Sequence, residues 1–567
     1  MSKATLILKN GHIFSIDAEG RRISGEAVAA ENDRIIFVGD SDEAMAFADD
    51  RTVIIDCEGN SILPGMCDVH CHPSIAGSVA SACDLFGVYR DENQSAGDII
   101  KEYQERLKTY IDEHPDAELV RGTGWVESNF LGEGELPTRH DIDEICSDRP
   151  VILEAFSQHN IWVNTKAIEI AGVDARTPDP SIGRIHREED GFPSGVFNDP
   201  EAMDLIKTGV PGYDLSVDEY KEAFLWYQRE CANRYGVTMV QDCLHSDNAR
   251  EAYRQLAEEG RLTVYLRGVY LLEPDKYEDQ IEEIIRRKGK DNVGRDFRID
   301  TMKLFAEGQF AMIDPYEPGF CEEIGVPSDY NGPLYWADDV FVENAAKAME
   351  AGLQVHVHAM GDLSVRQSVD CLARAQARTG RDDLRNVVAH LMLVPNESAV
   401  KMGENNIMGN CQPRWMVYDG DIYGMIPMIG KTRSESAYPY RKLLDSGVRV
   451  AFGTDYPVTP PPDTMHEIQC AMTRTVFPEA PDYEKYRGCV LGKERPAALG
   501  EAIESLTING AYQIFAEKFT GSIEEGKSAE LVILDRNIEE TPAEEISVIR
   551  VRKTIFKGRV VYDKYSE

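Results

Sequence analysis

Residues 62–73 read ILPGMCDVHCHP, opening on a Pro64–Gly65 turn and ending in His70, Cys71 and His72. Side chains on a strand alternate between faces, so His70 and His72 project one way, and Val69 and Cys71 the other. Two imidazoles on one face at a strand end can share a divalent ion. A histidine pair beside a turn is more often a polar surface pair, so the reading depends on further ligands. Lys303, His358, His390 and Asp455 supply them, each at or near the end of a short apolar run. Singly, each has a plainer explanation. A strand-end His is commonly hydrogen-bonded structure, a strand-end Asp caps the next helix, and a Lys forms an ion pair. Together, in this order, they point to a metal centre.

Such a centre needs elements that bring distant residues to one place. Short apolar, β-branched runs occupy 65–69, 236–241 (GVTMVQ), 262–270, 301–305 (TMKLF), 353–358 (LQVHVH), 386–390 (NVVAH), 406–410 (NIMGN) and 448–452 (VRVAF). Helical patterns lie between several of them, including 339–351, closed by Gly352, and 363–377. Strands alternating with helices call for a parallel sheet. Eight of them predict an α/β protein with a (β/α)₈ TIM barrel over 61–514. An open doubly wound sheet is the alternative, but no GxGxxG follows a first strand.

The interval between the first two runs is too long for one barrel unit. It holds a helical stretch at 98–110 and a Gly/Pro-rich stretch at 177–200, which places an inserted subdomain at about 85–212. Loops after barrel strands lie over the face where active sites form, so this insertion should roof the site. Both ends of the chain are β-rich. Residues 5–16 (TLILKNGHIFSI) read as a hairpin about Asn10–Gly11, followed by strands at 26–30, 34–38 and 52–56. The last stretch has strands at 531–534, 546–551, 554–556 and 559–562. One β-sandwich built from 1–60 and 515–567 is expected, with two separate caps as the alternative.

A formal charge of −39 on 567 residues disfavours nucleic acid and anionic membranes as partners. No run approaches the ~20 apolar residues of a membrane span. The first residues lack a secretory signal's apolar core, and the twelve cysteines are scattered without a CxxC pair. The expectation is a cytoplasmic protein with reduced thiols, acting on a small molecule.

The ligand order resembles the amidohydrolase superfamily: HxH after strand one, Lys or Glu after four, His after five and six, Asp after eight. More narrowly it resembles the amidohydrolase-3 branch, which includes YtcJ-like proteins and N-substituted formamide deformylases. The segments that carry the resemblance are LPGMCDVHCHP, GTGW (122–125), LPTRHDID (136–143), DRPVIL (148–153) and MKLFAEG (302–308). With them go VHAMGD (357–362), VVAH (387–390), FGTDYPV (452–458) and GSIEEGKSAELVILD (521–535). They span nearly the whole chain.

The resemblance implies hydrolysis of a C–N bond, amide or N-acyl, by metal-activated water. His70, His72, Lys303, His358, His390 and Asp455 are the implied ligands, and Asp455 also shuttles the proton. Imidazoles suit zinc, with iron or manganese as alternatives, at one or two ions per chain. An ammonium cannot ligate a cation, so Lys303 is expected as a CO₂-derived carbamate bridging two ions. His356 shares a face with His358; the family motif selects His358, leaving His356 deeper as a core or supporting group. His159 is expected to approach the substrate and take part in catalysis, Trp125 and Phe156 to wall an apolar pocket, and Cys71 to be a packed thiol. Two departures from relatives, Asp199 for Glu and Glu307 for Asp, fall near the expected substrate. Another hydrolase or a decarboxylase on the same metals is the rival enzyme. The rival from another class is a dihydropyrimidinase-related scaffold, which the intact ligand set opposes. The superfamily's habit implies a homodimer.

Overall fold

Eight parallel strands form one sheet in sequential order: β1 (Met66–Cys71), β2 (Val237–Asp242), β3 (Tyr265–Leu271), β4 (Phe297–Phe305), β5 (Gln354–Ala359), β6 (Val387–His390), β7 (Met408–Cys411) and β8 (Val450–Phe452). Each corresponds to one of the apolar runs. Such runs are continuous because strands wrapped by helices are buried on both faces. The helices Asp338–Glu350 and Asp362–Thr379 follow β4 and β5 and are closed by Gly352 and Gly380, with φ of 75° and 69°. This computed structural model describes residues 3–79, 82–90, 94–130, 136–180, 183–308 and 311–566.

The sheet is a nearly closed barrel, and side chains and loops draw β1 to β8. The Asp68 carboxylate accepts from the Thr454 amide at 2.8 Å and its hydroxyl at 2.6 Å. Asp455 N–H donates to His70 O, and His72 N–H to Tyr456 O, both at 2.8 Å. Gly453 permits this approach, since a Cβ there would lie 2.6 Å from His70 Cβ.

The barrel interior is layered. Cys67, Val69, Met239, Tyr265, Val387, Met408 and Ala451 pack with Ala511 and Ile514 as an apolar floor. Above them runs a file of buried amides. Gln412 Nε2 donates to Asn410 Oδ1, Asn410 Nδ2 to Gln513 Oε1, Gln513 Nε2 to Gln241 Oε1, and Gln241 Nε2 to Thr301 Oγ1.

Val69 departs from the expected alternation by packing inside the barrel. Val240 pairs with Asp68 but Asp242 pairs with Cys71, so β1 carries one residue more than β2 between those pairs. This bulge lets Val69 fill the floor while His70 still reaches the interior above it. Cys71 faces outward as expected, its thiol 3.6 Å from the Tyr227 hydroxyl.

The two terminal segments meet in a five-stranded sheet of order His12–Ile13, Ser61–Pro64, Leu531–Leu534, Val551–Phe556, Arg559–Asp563. A second sheet orders Arg34–Gly39, Ala27–Glu31, Leu6–Lys9 and Val53–Asp56. Leu6, Leu8, Ile62, Leu531 and Ile555 share one apolar cluster. The hairpin expected at 5–16 does not form, because Leu6–Lys9 and His12–Ile13 belong to different sheets. Gly11 passes so close to Ile62 that a Cβ would lie 2.5 Å from its Cδ1, and His12 N–H donates across to Asn60 O at 2.9 Å. The strand expected at 546–551 is mostly a 3₁₀ helix, Ala543–Val548, docked on the helix Thr464–Thr473, where Gln469 Oε1 accepts from Ser547 N–H at 2.7 Å. Tertiary docking here overrides β-propensity.

Between β1 and β2 lies a six-stranded sheet of order Cys83–Asp84, Val120–Trp125, Val151–Ala155, Asn160–Val163, Pro193–Asn198, Arg184–Arg187. The capped helix Ala96–Glu113 packs on it through Ile99, Tyr103 and Leu107. No described helix is long and apolar enough to cross a membrane.

Candidate metal centre

The barrel brings His70, His72, Lys303, His358, His390 and Asp455 to the C-terminal mouth, all buried. His72 Nε2 lies 2.9 Å from Asp455 Oδ1, and His70 Nε2 lies 3.5 Å from the same oxygen. Donor atoms of His70, His72 and Asp455 all fall within 4.8 Å of one another. Lys303 Nζ is 3.4 Å from His70 Nε2. The His390 ring lies 4.7 Å from that of His70 and 4.5 Å from that of His358.

Register sets the depth of each group. Lys303 pairs with His356, and Phe305 pairs with His358 one step nearer the mouth. His356 is therefore deeper than His358, as its place in β5 predicts. It is nonetheless in direct contact with the centre, its Nε2 standing 3.0 Å from His70 Nδ1.

Burial disfavours the charged form of four of the imidazoles. Burial pushes His70, His356 and His358 well below the ordinary histidine value, with Lys303 among the charges adding to it. Burial lowers His390 to about 4 against the opposing pull of Asp455. Lys303 is lowered by burial, partly offset by Cys243 and Asp455. Burial alone would raise Asp455, but the His72 contact and the charges of His390, His72 and Lys303 outweigh it and hold the carboxylate low. Neutral nitrogens beside an ionised carboxylate are the protonation states a cation requires.

The insertion supplies the roof. His159 Nδ1–H donates to Asp199 Oδ1 at 3.1 Å, and Asp199 N–H returns a bond to His159 O at 2.7 Å. The His159 ring stands 6.2 Å from that of His358. Burial would lower its pKa, but Asp199, then Glu127 and Asp455, raise it above the ordinary value. Asp199 thus lies at the site as a partner of His159.

Two expected substrate contacts lie elsewhere. Trp125 is fully buried in the inserted sheet, packed on Phe130 and Trp162 with its Nε1–H donating to Leu153 O at 3.1 Å. Being on the sheet's core side, it cannot wall a pocket. Phe156 packs edge-on against Phe86. Glu307 is fully buried too, and its carboxylate accepts backbone N–H groups of Met312, Met360 and Gly361. It ties the loops after β4 and β5 together, and both its oxygens are occupied by that task.

Gln412 and Cys243 escaped the sequence reading, and His356, expected as a deeper supporting group, lies closer to the centre than that. Gln412 Oε1 accepts from His390 Nδ1–H at 3.0 Å. His356 touches His70. Cys243, the first residue past β2, lies with His70 and His356, their donor atoms within 4.8 Å of one another. Its signal was phase: Met239 and Gln241 point inward, so Cys243 does as well.

The profile of the amidohydrolase family matches residues 53–562. The chain is 28% identical to YtcJ of Bacillus subtilis (strain 168) over 571 residues, covering 98% of this chain and 99% of that one. It is 23% identical to the N-substituted formamide deformylase of Arthrobacter pascens over 566 residues, covering 99% and 98%. An uncharacterized metal-dependent hydrolase from Pyrococcus furiosus shares its fold with a TM-score of 0.68 at 26% identity, over 94% of this chain and 99% of that one. A match over nine-tenths of the chain, onto a barrel with this mouth, leaves one conclusion: the chain belongs to the amidohydrolase family.

Proposed function

We propose that this chain is a metal-dependent hydrolase cleaving the C–N bond of a small amide or N-acyl compound. The observation that carries the reading is the meeting of His70, His72 and Asp455 donor atoms within 4.8 Å at the mouth of the barrel. The donor set fits a divalent ion: His72 Nδ1 is buried without a partner while its Nε2 faces Asp455, and burial holds His70 and His390 below the ordinary histidine value. His358 and His390, their rings 4.5 Å apart, and Lys303 stand beside that set and would complete it for a second ion. Bound there, zinc, or alternatively iron or manganese, would acidify a water and polarise the scissile carbonyl.

The protein's own groups have separate tasks. Asp455 Oδ1 is kept ionised and is placed to take a proton from the attacking water and return it to the leaving nitrogen. His159, steadied through Nδ1 by Asp199, keeps Nε2 for the substrate's carbonyl oxygen. Lys303 is desolvated, which favours the free amine; were that amine to add CO₂, forming an N–C bond and losing one proton, the anionic carbamate would be a ligand that an ammonium cannot be. The terminal segments 1–60 and 515–567 act as one sandwich beside a barrel of 61–514, and the insertion at about 85–212 delivers His159 and Asp199. The likeness to an N-substituted formamide deformylase favours a carbon–nitrogen substrate.

Metal analysis, with the mass of the Lys303 peptide and a panel of N-formyl and N-acyl amines, tests this. Stoichiometric metal and amine release support it. Protein that takes up no metal after reconstitution, or hydrolyses esters but no amide in the panel, overturns it.

A further inference from the structure

His70 presents its two ring nitrogens to different neighbours. Nε2 faces Asp455 Oδ1 at 3.5 Å and Lys303 Nζ at 3.4 Å, whereas Nδ1 faces His356 Nε2 at 3.0 Å. Cys243 joins this pair, and the three donor atoms of Cys243, His70 and His356 fall within 4.8 Å of one another. Cys243 and His356 are completely buried, and His70 is 1% exposed. This set shares only His70 with the one formed by His72 and Asp455.

The His356 ring is also incompletely satisfied. Its Nδ1 is buried with no hydrogen-bond partner. Changing tautomer does not help, because whichever ring carries the proton between His70 Nδ1 and His356 Nε2, the far nitrogen of His356 still has nothing to meet. That nitrogen lies on the far side of the ring from His70, so an ion shared with His70 Nδ1 would take His356 through Nε2, the atom 3.0 Å away.

We propose that Cys243, His356 and His70 form a soft-donor metal position at the floor of the centre, deeper than the one built by His70, His72 and Asp455 and selective for thiolate-preferring divalent ions such as zinc. Its depth follows from the register that pairs His356 with Lys303, one step below His358. One sulfur and two imidazole nitrogens suit zinc over magnesium or calcium, which prefer oxygen. Ligation would displace two protons to solvent, that of the Cys243 thiol and the one shared between His70 Nδ1 and His356 Nε2, which has no ring nitrogen to move to on His70 once Nε2 serves the outer position. The proposal deepens the metal-centre reading and rests on it.

Titration of the full-length apoprotein with cobalt(II) tests it by absorbance rather than activity. The expected result is a near-ultraviolet thiolate-to-cobalt charge-transfer band in the wild type, lost in Cys243→Ser and kept in His72→Ala. Cobalt uptake without that band, or a band that survives Cys243→Ser, overturns the floor position and leaves the metal centre standing. Loss of the band in His72→Ala overturns it as well, by assigning the thiolate to the outer position. No cobalt uptake by the wild type overturns both readings. The His72→Ala arm retains the thiol, so loss of the band there overturns the floor position even where Cys243→Ser fails to fold.

Discussion

Gln412 Oε1 lies 3.0 Å from His390 Nδ1, at the upper end of the unbroken file of amides through Asn410, Gln513 and Gln241. Gln412 already donates its Nε2 to Asn410, so its oxygen is the atom turned to the histidine and the ring must be the donor. That fixes the proton on Nδ1 and leaves Nε2 free for a cation. The barrel floor thus selects the tautomer of a residue at its mouth. In Gln412→Leu the ring loses this constraint, and metal affinity is expected to fall ~10–100-fold. Gln412→Glu keeps the acceptor for the ring but leaves Asn410 Oδ1 without its donor, so its metal affinity should fall less than that of the leucine variant. Competition with a chromophoric chelator measures both; an unchanged affinity in the leucine variant would remove Gln412 from the centre.

Asp455 follows β8 with a φ of 61°, in the left-handed region that Asn tolerates as readily as Asp. Asp455→Asn should therefore keep the far-ultraviolet circular dichroism and most of the metal while losing the proton carrier. Removing a general acid–base group costs ~10²–10⁴-fold in turnover, read as amine release from whichever amide the panel identifies. Wild-type turnover in this variant would take Asp455 out of the chemistry.

The barrel was legible because each strand is an uninterrupted apolar run, and its ligands because they sit where those runs end. The remainder depended on contacts between distant segments. The bulge that turns Val69 inward is set by pairing with β2, far along the chain. Gln412 belongs to a chain of amides drawn from β2, β7 and the helix Ile508–Gln513, and glutamine carries no periodic signature. Trp125 and Glu307 were read as substrate contacts from their place in motifs, whereas which way they face is decided by the inserted sheet and by the loops after β4 and β5. Cys243 was hidden by its ordinary chemistry: one scattered cysteine among twelve is a packed thiol until His70 and His356 are placed beside it.

His390 titrates near 4 in the fold against a usual 6.5. The unfolded chain takes up that proton first, so this group adds stability above about pH 6.5 that is progressively lost as the pH falls toward 4. A shift of this size corresponds to something on the order of 3 kcal/mol. Buried carboxylates such as Glu467 and Glu530, raised by burial to about 7, pull the other way. The comparison must therefore be between variants. In chelator-treated protein, the Tm difference between wild type and His390→Gln should change by several degrees between pH 4 and 7, moving in favour of the wild type as pH rises. A difference independent of pH would mean that His390 is not held neutral by the fold.

Glu307 separates a binding role from a bracing one. Its carboxylate accepts three backbone N–H groups, from Met312 on the β4 side and from Met360 and Gly361 on the β5 side. Glu307→Gln keeps the volume but replaces one acceptor oxygen with an amide NH₂ that faces a donor. Leaving a buried donor unmatched costs ~1–3 kcal/mol, so the variant should melt several degrees lower. Hydrogen exchange at the Met360 and Gly361 amides should quicken, since those protons lose their acceptor and the loop opens at lower free energy. If Glu307 instead touched substrate, KM would rise while the melting temperature and both exchange rates held, and that pattern would return it to the binding site.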